Sequence, residues 1–346
     1  MVRNNTVVCN GGGIESARKI VTPLVETGRA HIPSKIGSRH QGRSSAKYHC
    51  RMAIKVPETL YHYCSMASFY AIAQSRSIWL SSLLQTNDFL EGKLVARALE
   101  RVAATDNLNP PDVLSLMDMF RGIESIFEGL ALCLSEEPDL LSQWRGYASD
   151  ANGVAIGFAG SYLIKLGDAN RSRSDESFVV TKVEYDQKSH DDRVRPAYLI
   201  AKEKILRGAF KGDAGLASGL LGSMTEESWR EEIEARKEAH KELYYSLTPL
   251  IDDIYRLKSA AFSEEKEWRL LTHTSDDQYA HSSYRVNGDR LIPYVVYELT
   301  RQGELEPFVE VILGPRNRTP LKVVEKYLRA IGFANTKVRA SSASYR

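Results

Sequence analysis

Three short segments, far apart in the chain, most constrain how this protein can fold. They are Leu60–Ser65, Leu132–Tyr147 and Phe262–Leu271. Each places polar side chains of the reactive kinds (His, Tyr, Ser, Glu and Arg) beside an apolar run typical of a strand, where packing alone would not put them. We therefore expect a fold that brings the three segments together and assembles one site from them.

The composition is that of a soluble globular protein. The chain has 346 residues, of which 43% are hydrophobic and 26% charged. It contains no run of about 18 apolar residues and no signal-peptide pattern, so we expect no membrane contact and a cytoplasmic location. The four cysteines show no paired or metal-like spacing, which indicates reduced thiols and predicts that no metal is bound.

The first 51 residues differ from the rest of the chain. Residues 1–55 hold ten Lys and Arg against two Asp and Glu, a net charge of +8, so the remainder carries −6. Residues 1–51 lack hydrophobic periodicity and contain Gly11–Gly13. A nucleic-acid-binding arm is one interpretation. The one we prefer is a disordered or mis-assigned N-terminal extension, with the folded chain beginning at Met52.

Strand-like and helix-like patterns follow one another from Met52 without a regular βαβ alternation, which favours the α+β class. We expect one domain over residues 52–346. A mostly helical insertion is predicted at about residues 190–260, divided by a Gly-rich break at 212–222.

The third segment carries the clearest candidate for chemistry. If a strand begins near Lys266, then Glu267 and Arg269 share one face, and Trp268 lies on the other. This pair is either a surface ion pair of little energetic value or a carboxylate that an arginine aims at a substrate hydroxyl. Glu265 and Glu264 are alternatives as the key acid.

The first two segments offer partners for this acid. His62 lies between two tyrosines on a strand, so it faces opposite to both and is either a hydrogen-bonded core residue or a site residue. In the helix expected at 140–148, Trp144 and Tyr147 share a face, and Arg145 points elsewhere. Tyr147 is either a core residue or a platform for a planar ring. Ser135 stands at a strand end, where ligand-facing residues often lie.

Several motifs together resemble the bacterial family called domain of unknown function 2971, over about residues 57–346. The Asn-Asp-Pro-Phe-Glu turn of that family is altered here to Asn87–Glu91. The motifs that carry the resemblance are Leu60–Ser65, Ile78–Ser82, Thr86–Asp88, Cys133–Ala148, Gly153–Phe158, Glu265–Arg269 and Val311–Arg316.

The order of these segments also resembles, at the level of fold, the His–Tyr–Glu layout of ADP-ribosyltransferases of the diphtheria-toxin and poly-ADP-ribose type. The resemblance implies a split, mostly antiparallel sheet and NAD as substrate. It implies that His62 bonds the nicotinamide ribose, that Tyr147 stacks on nicotinamide, and that Glu267 holds the ribose 2′-hydroxyl. The residues expected to contact NAD are His62, Tyr63, Ser65, Ser135, Trp144, Arg145 and Arg269.

The sequence departs from that layout in two ways. His62 is followed by Tyr63 instead of the Gly or Thr often found there, and the spacing from Tyr147 to Glu267 is long. The helical insertion has to account for that spacing.

The expected function is therefore an ADP-ribosyltransferase-like enzyme that transfers ADP-ribose from NAD to a protein or nucleic acid. A toxin or phage-defence effector with an immunity or regulatory partner is the expected setting. One alternative is a non-catalytic nucleotide-sensing or protein-interaction module. Another is a nucleic-acid-processing enzyme that uses Glu265, Glu267 and His62.

Overall fold

The computed structural model describes residues 55–85, 88, 90–171, 177–211, 226–275, 283–300, 302–303 and 305–345. The predicted extension at 1–51 and the Gly-rich break at 212–222 lie outside these residues. The described part contains strands and helices in irregular alternation, so the α+β prediction is confirmed.

The strands of the described residues are β1 Thr59–Cys64, β2 Ser77–Ser82, β3 Phe127–Ser135, β4 Val154–Ala159, β5 Val179–Lys182, β6 Glu267–Ser275, β7 Ser283–Asn287, β8 Arg290–Glu298, β9 Phe308–Leu313 and β10 Lys337–Ala340. The α-helices are α1 Met66–Ser75, α2 Leu94–Thr105, α3 Pro110–Glu124, α4 Leu141–Tyr147, α5 Gly160–Arg171, α6 Gln187–Leu206, α7 Glu226–Leu247 and α8 Leu321–Ala330. Two 3₁₀ helices cover Thr248–Asp253 and Ala260–Glu265.

Local sequence signals explain where several helices begin and end. The Ser65 hydroxyl accepts the Ser68 N–H at 3.0 Å and caps α1. Asn109 caps α3, and Pro110 occupies its first turn, where no N–H is needed. Gly332 follows α8 with a φ of +90°, a conformation that favours glycine at this position.

The strands form one mixed, mostly antiparallel sheet that forks. β6 pairs with β3 along its whole length, from Phe127 opposite Ser275 to Ser135 opposite Glu267. The other edge of β3 is shared, because β2 pairs at Ser81 and Ser82 and β1 pairs at Tyr61 opposite Ser135. β1 continues into β4, β9 and β10, whereas β2 continues into β8 and β7. The sheet therefore divides into two halves at β3.

Each face of the sheet is covered differently. One face packs a continuous core against α1, α5 and α8, with Trp268 and Leu270 among its buried residues. The opposite face is covered in two places. The helices α2, α3, α6 and α7 cover the end near Ala131 and Leu271. The short helix α4 covers β1, β4 and β9. Among the described helices, none combines the length and the apolar character needed to cross a bilayer.

Candidate functional site

His62 lies at the fork where β1 and β2 leave β3. Its Nδ1 is 2.9 Å from the backbone oxygen of Cys133. A carbonyl oxygen only accepts, so Nδ1 donates, and the other ring nitrogen, Nε2, is an acceptor in the neutral ring. The imidazole thus bonds a carbonyl of β3 that lies between the part of β3 paired with β1 and the part paired with β2. Its Nε2 lone pair remains for another donor.

A cavity of about 110 Å³ opens beside this imidazole. Its lining comes from β1, β3, α4, β6 and the segments before β6, so all three sequence segments contribute. The lining residues are Tyr61, His62, Tyr63, Glu91, Cys133, Leu134, Gln143, Tyr147, Lys258, Glu265, Glu267 and Arg269. This volume is smaller than the roughly 300–1,000 Å³ of a typical small-molecule pocket, so it encloses only a fragment of a larger ligand.

A buried ionic network forms one wall of the cavity. Glu267 and Arg269 share a face of β6, as the alternation predicts, and Arg269 Nε donates to Glu267 Oε1 at 2.8 Å. The same guanidinium holds both carboxylate oxygens of Glu91, at 2.7 and 3.0 Å. Arg269 is 1% exposed and Glu267 is 4% exposed. The alternative of a surface ion pair is therefore wrong.

Lys258 extends the network. Its ammonium lies 2.9 Å from Glu267 Oε2 and 2.5 Å from Glu265 Oε2. The Tyr147 hydroxyl donates to Glu265 Oε1 at 2.8 Å. Three carboxylates and two cations thus meet in one buried cluster, whose formal charge is −1.

Helix α6 and Glu184 hold the segment that carries Lys258. Arg193 of α6 bonds Glu184 and also Asp253, the latter at 3.1 Å. The Lys258 N–H donates to the Glu184 carbonyl at 3.0 Å. Because both ends of this segment are held, the ammonium group is positioned beside the two glutamates.

The network also sets the charge of each group. Burial alone would raise the pKa of Glu267, but the charges of Arg269 and Lys258 lower it to about 2. Burial lowers the pKa of Lys258, and the opposing charges of Glu267 and Glu265 raise it above its usual value. Burial lowers the pKa of His62. At neutral pH, the cavity therefore presents an ionised Glu267 and a neutral imidazole.

The C-terminal residues hold α4 against the sheet. Asp139, just before α4, accepts from Trp144 Nε1 at 2.7 Å, from the Ser341 hydroxyl at 2.5 Å and from the Ser342 N–H at 2.6 Å. The Tyr345 hydroxyl donates to Asp150, which follows α4. This anchoring sets the position of Gln143 and Tyr147, the two α4 residues that line the cavity.

The structure brings together some of the predicted site residues and not others. The three expected catalytic residues, His62, Tyr147 and Glu267, line the same cavity, as do Tyr63 and Arg269. Four others lie outside the lining. Ser65 caps α1, Ser135 donates to the Glu265 carbonyl, Trp144 is buried under α4, and Arg145 lies over the Tyr345 ring.

Sequence reasoning missed Glu91, Cys133 and Lys258 as lining residues. Glu91 is the last residue of the motif that departs from the Asn-Asp-Pro-Phe-Glu pattern in the sequence comparison above. That departure drew attention to the motif but gave Glu91 no role. Cys133 pairs with Arg269 across the sheet, so its side chain lies on the face that lines the cavity. Lys258 gave no signal, because it lies between elements and reaches the glutamates only through the fold.

Comparison with known proteins gives one match. Neither the curated proteins nor the solved structures contain a match to this chain. The segment from α4 to the first residues of β6 supplies Gln143, Tyr147 and four charged lining residues, Lys258, Glu265, Glu267 and Arg269, whereas β1 and Glu91 lie outside it. This segment, residues 143–270, matches the family described as Protein of unknown function (DUF2971).

Proposed function

We propose that the cavity binds the nicotinamide-ribosyl end of NAD and cleaves the bond between nicotinamide and ribose, with ADP-ribose passing to a macromolecular acceptor or to water. One observation carries this proposal. His62, Tyr147 and Glu267 are selected by their order in the sequence, and they line one cavity at the fork of an antiparallel sheet.

The arrangement suits the charge changes of this reaction. The C1′–N bond breaks, and its electron pair leaves on nicotinamide, so the positive charge of the pyridinium ring moves to the ribosyl C1′ and ring oxygen. A lone pair of the acceptor then bonds C1′, and the acceptor proton passes to solvent. A fixed anion beside C1′ stabilises the intermediate cation most strongly where water is excluded.

Glu267 can supply that anion. Its low pKa keeps it ionised, so it acts by charge and by accepting a ribose hydroxyl, and not as a general acid. The net charge of −1 in the cluster favours a cationic ligand. His62 Nε2 offers a second acceptor for a ribose hydroxyl. The Tyr147 ring, 40% exposed, offers a surface on which nicotinamide can stack.

The test is nicotinamide release from NAD by the wild-type chain and by Glu267→Gln, with cell lysate as a source of acceptors. The amide keeps the shape of the side chain and removes its charge. We expect release to fall by at least roughly a hundredfold. NAD binding, measured by calorimetry, should change little, because the charge is required chiefly as the bond breaks.

Glu264→Gln is the matched control, because Glu264 is an exposed neighbour outside the cavity lining. This variant should release nicotinamide at the wild-type rate. Thermal unfolding checks that Glu267→Gln remains folded. Equal release by wild type and Glu267→Gln, or no release with no NAD binding, would contradict the proposal.

A second candidate is a non-catalytic nucleotide-sensing module, and one observation favours it. Both oxygens of Glu267 already accept bonds, from Arg269 and from Lys258, which leaves less capacity for a ribose hydroxyl. This candidate predicts NAD binding without nicotinamide release in any variant. The nucleic-acid-processing alternative stays a prediction, tested by nuclease assays that omit NAD.

A further inference from the structure

An aromatic pair, exposed at Trp79 and half-buried at Tyr294, lies on β2 and β8, outside the cavity. The rings of Trp79 and Tyr294 stack, with centroids 4.3 Å apart and planes at 22°. Trp79 is 39% exposed, and Val296, which pairs with it across the strands, is exposed too. Large aromatic side chains that keep this much open surface often mark binding surfaces.

This pair lies on the same face of the sheet as the ionic network. Ser81 pairs with Ala131, and residues two apart on a strand share a face, so Trp79 and Cys133 lie on that face as well. Cys133 in turn pairs with Arg269. Arg269 on β6 and Trp79 on β2 are separated by one intervening strand, β3. The distance between them is at least about 10 Å, since neighbouring strands are roughly 4.8 Å apart and these strands diverge at the fork.

A cationic side chain lies next to the aromatic pair. Arg285 Nη2 donates to the Ser81 hydroxyl at 3.3 Å, and Ser81 pairs with Tyr294 across β2 and β8. Within the described part of the chain, the Arg285 guanidinium forms no ion pair with a carboxylate. It therefore retains N–H groups and charge for an anionic group such as a phosphate.

We propose that Trp79 and Tyr294 form the subsite for the adenine ring of NAD, with the charge of the neighbouring Arg285 favouring an anionic nucleotide there. This inference rests on the proposed function. The cavity encloses only part of a dinucleotide, so the remainder lies outside it, and the adjoining face offers a stacking surface on β2 and β8. A purine ring stacks on aromatic side chains whatever its hydrogen-bonding pattern.

The test measures the binding of NAD, AMP and nicotinamide mononucleotide to the full chain by calorimetry. Trp79→Ala should weaken NAD and AMP binding about tenfold, a typical loss for one stacked base. Nicotinamide mononucleotide lacks adenine, so its binding should stay unchanged. Trp79→Phe, which keeps a ring, should recover most of the affinity. Tyr284→Ala is the matched control, because Tyr284 is exposed on a neighbouring strand but faces the other side of the sheet.

The outcomes separate this subsite from the proposed reaction. Loss of AMP binding in Trp79→Ala, with circular dichroism unchanged, supports the subsite even if NAD is never cleaved. Wild-type AMP and NAD affinities in Trp79→Ala overturn it even if nicotinamide is released normally. Absence of AMP binding by the wild type overturns it too. If Trp79→Ala weakens only the binding of single-stranded oligonucleotides, the subsite is overturned too, and the aromatic pair is assigned to nucleic-acid binding.

Discussion

The imidazole of His62 donates to the Cys133 carbonyl, and this bond fixes which ring nitrogen is the acceptor in the cavity. The two interpretations that the sequence left open for His62 are therefore compatible. The side chain satisfies a backbone group of β3, as a core histidine would, and His62 also lines the cavity. Alternation along a strand predicts the direction of a side chain but not the presence of a fork.

The pH dependence of turnover tests the acceptor role of His62. Burial disfavours the charged imidazole, so its pKa lies below 6.5, and the ring is neutral above that value. A proton on Nε2 removes the lone pair. We expect kcat/KM for NAD to be flat from pH 8 to about 6.5 and to fall as the pH drops further, by up to tenfold per pH unit. Glu267, with a pKa of about 2, cannot cause this fall.

The control for this prediction is the pH profile of His62→Gln. Glutamine does not titrate, so the decrease at acid pH should disappear even if the overall rate is lower. If the variant shows the same decrease as the wild type, another group titrates and His62 does not act as an acceptor.

At the scale of elements, α4 and the C-terminal residues Ser341–Tyr345 act together. Asp139 joins them through hydrogen bonds to Trp144, Ser341 and Ser342. Asp139→Asn removes the carboxylate charge, which weakens these hydrogen bonds. It also replaces one acceptor oxygen with an amide NH₂ group, which then faces other donors. We expect the free energy of unfolding in urea to fall by about 2 kcal/mol. The C-terminal residues should also become more susceptible to carboxypeptidase.

Asp150→Asn is the control for Asp139→Asn. Asp150 also contacts the C-terminal residues, through the Tyr345 hydroxyl, and it forms an ion pair with Arg316 that is exposed and contributes little. Its unfolding free energy should stay within about 0.5 kcal/mol of wild type. Equal effects of the two substitutions would contradict a specific role for Asp139.

Most of the elements are predictable from the sequence, and the exceptions have physical reasons. The strand β6 shows the expected alternation of polar and apolar residues, although both of its faces are buried. Two elements, α5 and β7, carry no clear signal in the sequence. β7 is largely exposed on both faces, so it carries no alternating pattern. α5 follows β4 without a loop and begins at Gly160, a residue type that seldom indicates a helix.

At the scale of the molecule, the ionic network joins parts of the chain that the sequence does not relate. Glu91 precedes α2, Lys258 lies between the two 3₁₀ helices, and Glu267 and Arg269 lie on β6. Periodicity predicts that Glu267 and Arg269 are neighbours, because they belong to one strand. It cannot predict Glu91 or Lys258, since their positions depend on how the helices pack.

Acid unfolding tests what this network contributes. The pKa of Glu267 is lowered from 4.5 to about 2, so the unfolded chain binds the proton more readily than the folded chain does. The stabilisation is present above about pH 4.5 and is lost as the pH falls toward 2. Urea unfolding at several pH values should show a shallower pH dependence over this range for Glu267→Gln than for wild type. Equal slopes would contradict the contribution assigned to Glu267.

The pairing of β6 with β3 has a consequence for synthesis of the protein. The paired residues are 132 to 148 positions apart in the chain. At roughly 5–20 residues per second, β3 leaves the ribosome about 7 to 30 seconds before its partner does. During that interval one edge of an apolar strand has no partner, which makes the nascent chain prone to aggregation and a candidate for chaperone binding. It also means that no ionic network, and so no cavity, exists until β6 has been made.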